Sequence, residues 1–309
     1  MKKRLLSLTL IAALCLGLLP VGAATALAEG KPAKLVVGGT SVIDGGYWTT
    51  DASTGELSSD DASETHYNVH YAKDSNTLTL NNATISGSGN SNSLTDNFNA
   101  AIYAAAVSDQ SVSLTIVLKD KNTVEAPIGI FVNYTGSGTA TLTITSNNDG
   151  TLEASYSDKG IWVNSDSGNA SLYIENATVT AECTNNICGY GINLRAGETK
   201  KASLTVIGGQ LTATGNGGAG IRYTFGGGTS GPGAPSLTVG GNAIVKANHS
   251  NGGGIVTNSS TTTVRPTPGG ENGGIVFDKG TGTVYLDVTL PSDLTIGKGE
   301  SLNISSGAR

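Results

Sequence analysis

From residue 77 onward, short runs of alternating apolar and polar residues are separated by clusters of Gly, Asn, Asp and Ser. This is the pattern of short strands joined by turns. Three such runs recur in fixed order. The first couples a small residue, usually Gly, to Ile: AIYA, GIFVN, GIWVN, GINLR, GIRYT, GIVTN and GIVFD, with isoleucines at 102, 130, 161, 192, 221, 255 and 275. Successive isoleucines fall roughly 30 residues apart, a period typical of solenoids. The exception is the last pair, Ile255 and Ile275, which lie closer together. The second run is SLTIV, TLTIT, SLYIE, SLTVI and SLTVG, led by Leu114, Leu142, Leu172, Leu204 and Leu237, with an earlier copy, TLTLN, at Leu78. The third closes each unit: ATISG, NTVEA, GTLEA, ATVTA, GQLTA and AIVKA.

Three strands in each repeating unit predict an all-β parallel β-helix with a three-stranded rung. A single unit cannot bury its apolar side alone, so units must stack and share one core. The predicted inward ranks are Ile130, Ile161, Ile192 and Ile221; Leu142, Leu172 and Leu204; and Val124, Leu152, Val179 and Leu211. Asn82, Asn176 and Asn242 fall at predicted corners, where Asn tolerates a left-handed backbone. Residues 29–76 precede the repeat and are expected to form a small N-terminal β cap, with the β-helix over 77–309. The last rung, SDLTIGKGESLNISSGAR, reads as incomplete, so a further chain or a partner is expected at that end.

Residues 1–28 read as a secretory signal. Lys2, Lys3 and Arg4 precede the apolar run LLSLTLIAALCLGLL, and Ala26-Leu27-Ala28 forms an A-x-A cleavage site. A secreted chain, at large or on the cell surface, is therefore expected, and no later run reaches the ~20 apolar residues of a membrane span. Without the leader, 15 basic residues face 24 acidic ones, a net charge of −9. That excludes nucleic acid as a partner, because phosphate binding rests on Lys and Arg. It also disfavours a strongly anionic glycan unless calcium bridges the two, so no resident cofactor is expected and only calcium is left open. Cys183 and Cys188 read as a disulfide staple across a turn, since a pair supplies half of the ligands a zinc site needs.

The order LTL-NNATISG, AIYA, LTIVLKDKNTVEA, GIFV, LTITSNNDGTLEA resembles secreted clostridial-type β-helix repeat proteins and carbohydrate-binding proteins with a pectate-lyase-like fold. The resemblance implies polysaccharide binding without demonstrated catalysis. Together with the general preference for right-handed crossovers, it also implies a right-handed solenoid.

If the isoleucines face inward, the residues after them face out. Tyr103, Phe131, Trp162, Asn193, Arg222, Val256 and Val276 form one predicted column, and Ala105, Asn133, Asn164, Arg195, Thr224, Asn258 and Asp278 a second. Three stacked aromatics beside amides and guanidinium groups suit a sugar platform: rings cover C–H faces while the polar groups bond hydroxyls. The plainer reading is that the rings pair with one another. The candidate platform is therefore Tyr103, Phe131, Trp162, Asn133, Asn164, Asn193, Arg195 and Arg222. The second face carries paired Ser and Thr columns that suit ice binding weakly and exposed strands well. Glu125 and Glu153 are expected as neighbours on the third face. In HYNVHY, Tyr67, Val69 and Tyr71 are expected on one side, which sets His66 and His70 ~13 Å apart on the other and excludes a shared metal. With no carboxylate cluster beside Arg195 and Arg222, the balance is against an enzyme. A structural spacer or adhesin module is one alternative. A lyase or hydrolase using loop carboxylates such as Asp149, Asp158 or Asp166 is the other.

Overall fold

A computed structural model describes residues 30–87, 99–106, 110–156, 158–186, 189–226, 231–249, 253–270, 272–290, 292–304 and 308. The leader lies outside them. Three mostly parallel sheets of eight, ten and nine strands wind into a β-solenoid of stacked rungs. Among the described residues no helix is long and apolar enough to cross a membrane.

The inward ranks follow from side-chain alternation. In the first sheet Ile130 sits beside Ile161, then Ile192, Ile221 and Ile255, with Val132, Val163 and Leu194 in the adjoining rank. In the second sheet Leu114, Leu142, Leu172, Leu204 and Leu237 are in register. These side chains, apart from the half-exposed Ile255, are 0% exposed. The corner between the second and third sheets is set by left-handed residues, Asn82, Asp120, Asp149, Asn176 and Asn242, with φ of 50°, 53°, 53°, 52° and 65°. Asn and Asp reach this region at little cost because their short side chains bond locally.

The third rank differs from expectation. Val124 pairs with Ala154, and Asn122 occupies the place beside Leu152, Val179 and Leu211. NTVEA and GTLEA look alike but are offset by two positions, because the turn before the second is longer. The misplaced polar residue is satisfied. Asn122 Oδ1 accepts from Ala83 N–H at 2.9 Å, and its Nδ2 donates to the carbonyls of Lys119 and Thr151 at 2.9 and 3.1 Å. A consequence is that Glu125 lies opposite Ser155 and Glu153 opposite Thr123. The two carboxylates are diagonal rather than facing.

At the N-terminal side, Lys34–Val37 pairs antiparallel with Ala100–Ala105, extending the first sheet. Gly46–Thr50 and Val69–Ala72 extend the second, also antiparallel, and bury Trp48, Val69 and Tyr71. Tyr67 lies just before that strand and turns outward, so it packs against His70 instead of joining Val69 and Tyr71 inside.

At the other end GIVFD does not continue the first sheet. Gly274–Asp278 pairs with Ala243–His249 in the third sheet and reverses at Lys279 and Gly280 into the antiparallel strand Thr281–Tyr285. Val276 is then inward and Asp278 pairs beside Ala247 in the third sheet, so neither belongs to the outer columns of the first. Ile275, Phe277 and Val284 form a small outer cluster, covered by Val288, Leu290, Leu294 and Leu302. The core end opens into a cavity of about 590 Å³ whose lining includes Ile255, Val264, Val276 and Tyr285.

Candidate functional site

The outer face of the first sheet carries both predicted columns in the predicted register as far as Val256 and Thr224. Tyr103, Phe131, Trp162, Asn193, Arg222 and Val256 are successive Cα partners, as are Ala105, Asn133, Asn164, Arg195 and Thr224. Strand alternation alone produces this, since each residue sits one step from an inward Ile.

The aromatic column is closed. Tyr103, Phe131 and Trp162 are 5%, 1% and 9% exposed. Phe131 and Trp162 stack at 4.3 Å with planes 16° apart, and Tyr103 tilts against Phe131 at 5.5 Å. Val36 pairs beside Tyr103 at one end. At the other, the Lys159 ammonium lies 4.5 Å over the Trp162 ring and pairs with Asp158 at 2.7 Å. A sugar would have to displace this cation to reach the indole face.

The second column is a polar ladder. Asn164 Nδ2 donates to Asn133 Oδ1 at 2.8 Å and to Asp166 Oδ1 at 3.3 Å. Arg195 pairs with Asp166 at 3.2 Å and donates from Nε to the Gly226 carbonyl at 3.3 Å. Thr224 Oγ1 donates to Asn193 Oδ1 at 3.3 Å. Asn133, Asn164, Asn193 and Thr224 are all buried. Among the described residues, Asn164 Oδ1 has no hydrogen-bond partner.

The predicted residues thus divide. Tyr103, Phe131 and Trp162 form an internal stack, and Asn133, Asn164 and Arg195 form one network. Arg222 belongs to a separate, open feature. Its guanidinium lies 4.6 Å over the Tyr190 ring and also donates to the Tyr190 hydroxyl. Both side chains border a cleft of about 290 Å³ that Ala219, His249, Val256 and Asn258 also line. Among the described residues no carboxylate pairs with Arg222. Tyr190 escapes the outward pattern because it precedes Gly191, ahead of the regular alternation. The available signal is Lys159, its Cα partner on the previous rung, which likewise reaches over the outer column.

Other candidate chemistry is tied up. Asp158 and Asp166 are in the ion pairs above, and Asp149 sits at a left-handed turn. Among the described residues no group of three His, Cys, Asp or Glu is placed to hold a metal ion. Cys183 is buried and its Sγ accepts from Asn185 N–H at 3.3 Å, while Cys188 lies outside the described residues. An aromatic group that sequence reasoning does not assemble lies on the second sheet. Tyr47 stacks on His70 at 4.2 Å and 7°, Tyr67 closes against both, and Lys119 donates to the Tyr67 hydroxyl at 2.9 Å.

No protein-family model, curated protein or solved structure matches this chain.

Proposed function

We propose that the chain is an exported, non-catalytic module that binds polysaccharide along the outer face of its first sheet. The reading rests on the Tyr190–Arg222 cleft. A half-exposed ring, a guanidinium without a carboxylate partner among the described residues, an imidazole and an amide converge there on one concave surface, the combination sugar recognition uses. The clostridial, pectate-lyase-like resemblance supports the same class of ligand. The ladder of Asn133, Asn164 and Arg195 runs beside the cleft along the solenoid axis. Its amides are buried, and Arg195 is the member that reaches solvent to continue the surface in the direction an elongated ligand would run. The buried aromatic stack supports the ladder from beside and does not itself face the sugar.

A glycan array on wild type, Tyr190→Ala and Arg222→Ala, run with and without calcium, tests the proposal. Binding to a subset of glycans, lost in both variants, is the expected result. Uniformly flat binding by wild type overturns it in favour of a structural spacer or adhesin module, a reading that the closed Tyr103–Phe131–Trp162 stack favours. New reducing ends or unsaturated uronides would instead mark a hydrolase or lyase.

A further inference from the structure

The outer face of the second sheet differs from the rest of the molecule in charge. Across five consecutive rungs its three outward columns are Ser113, Thr141, Ser171, Ser203, Ser236; Thr115, Thr143, Tyr173, Thr205, Thr238; and Val117, Thr145, Glu175, Ile207, Gly240. Ser113, Thr141, Ser203 and Gly240 are buried, and of the eleven positions that reach solvent one, Glu175, is charged. An ordinary surface, about 25–35% charged, would place roughly three or four charges there. Burial raises the Glu175 pKa, so this face already disfavours its one charge. The hydroxyls bond partly along the columns, as Ser171 does with Ser203 at 2.9 Å.

The third column continues across nine strands: Tyr47, His70, Thr79, Val117, Thr145, Glu175, Ile207, Gly240, Gly269. It tapers from stacked rings at one end to two glycines at the other. Thr145 is its midpoint.

We propose that this face is the interface of a two-fold dimer of the chain, formed by two copies packed face to face with their solenoid axes reversed. A two-fold axis through Thr145 lays the Tyr47–His70 end of one copy on the Gly240–Gly269 end of the other. It also sets Glu175 of the second copy opposite Val117, two positions along the strand from Lys119, so two intersubunit ion pairs form. An isologous interface must be self-complementary in this sense. Charge selects the occupant. Two acidic chains repel, and on this face the reversed packing lets them meet with Glu175 offset from its own copy rather than opposing it. Nine strands ~4.8 Å apart and ~16 Å long offer roughly 600 Å² per copy, about 1,200 Å² in all, which is the lower bound of a stable specific interface.

Size-exclusion chromatography with light scattering tests this. Wild type should elute as a dimer at micromolar concentration. Thr145→Arg and Thr145→Asp each set like charges against themselves at the axis and should weaken the dimer at least about tenfold. An equimolar mixture of the two should restore it. Circular dichroism checks that each variant is folded, and glycan binding by Thr145→Arg keeps this proposal separate from that of the first sheet. A monomeric wild type, or a Thr145→Arg protein still dimeric, overturns the inference.

Discussion

Phe131 and Trp162, on adjacent rungs, stack with ring centroids 4.3 Å apart, and neither is more than 9% exposed. The pair is therefore a packing element of the solenoid's outer wall. Phe131→Ala should cost about 3–5 kcal/mol, as for other buried aromatics, because the neighbouring strands cannot close the gap. Trp162→Ala should cost less, since Lys159 can settle into part of the space. Urea denaturation of both variants measures this. A Trp162→Ala protein that is fully stable but binds no glycan would return the sugar contact to the aromatic column.

Arg222→Lys separates charge from shape in the cleft. Lysine keeps the cation but cannot lie flat on Tyr190 or present two donors in one plane. Glycan affinity should fall about tenfold, nearly as far as in Arg222→Ala, if stacking and paired hydrogen bonds carry recognition. Isothermal titration with the best array ligand reads the difference. Full retention of affinity by Arg222→Lys would show that charge alone is used.

The solenoid is readable because one rung recurs along the chain with its Ile and Leu positions intact, and alternation then assigns every neighbour to a face. The same logic places Tyr103, Phe131, Trp162, Asn193 and Arg222 in one column. Exposure is not readable, because burial of an outer face depends on turns, ion pairs and edge strands rather than on strand period. Two departures in register have local causes. NTVEA mimics GTLEA, yet Asn122 takes the inward place because four neighbouring backbone groups satisfy its amide. GIVFD keeps the motif, but the stretch from Ile255 to Ile275 is too short for a full rung, and the chain folds back instead.

Asn122 itself is open to test. Asn122→Leu would match the Leu152 rank in shape but leave the Ala83 N–H and several carbonyls without their partner. The loss should exceed the hydrophobic gain by about 1–3 kcal/mol. Equilibrium urea unfolding should show a lower midpoint with an unchanged slope. A variant more stable than wild type would mean that these backbone groups find water instead.

His70 gives the fold a pH dependence with a definite sign. Burial, then repulsion from Lys119, lowers its pKa below 6.5, against a smaller opposing effect of Glu64. Between the unfolded and folded values the unfolded chain binds more protons, so stability rises with pH. The contribution is complete above 6.5 and lost as pH falls through the lower folded value. Thermal unfolding between pH 7 and 5 should show this loss, and His70→Gln should flatten it. An unchanged slope in His70→Gln would assign the dependence to other groups.

The C-terminal edge of the second sheet, Pro266–Gly269, is blunted by Pro266 and Pro268. A proline cannot donate to a ladder, so Thr267 must make the pairing with the Leu237–Val239 strand, and the two missing donors fall on the free edge. Such edges otherwise template pairing with other chains. The adjoining cavity with Ile255, Val264 and Tyr285 would add apolar surface to any such contact. Replacing both prolines with Val restores two donors on the free edge and keeps apolar side chains on the inner face, where Pro266 and Pro268 sit beside Leu237 and Val239. The double variant should form higher oligomers or aggregates at concentrations where wild type does not, visible as early-eluting material in light scattering. If it elutes like wild type, the short neighbouring strand Ile255–Thr257 and the folded-back hairpin at Lys279 and Gly280 suffice to protect that end.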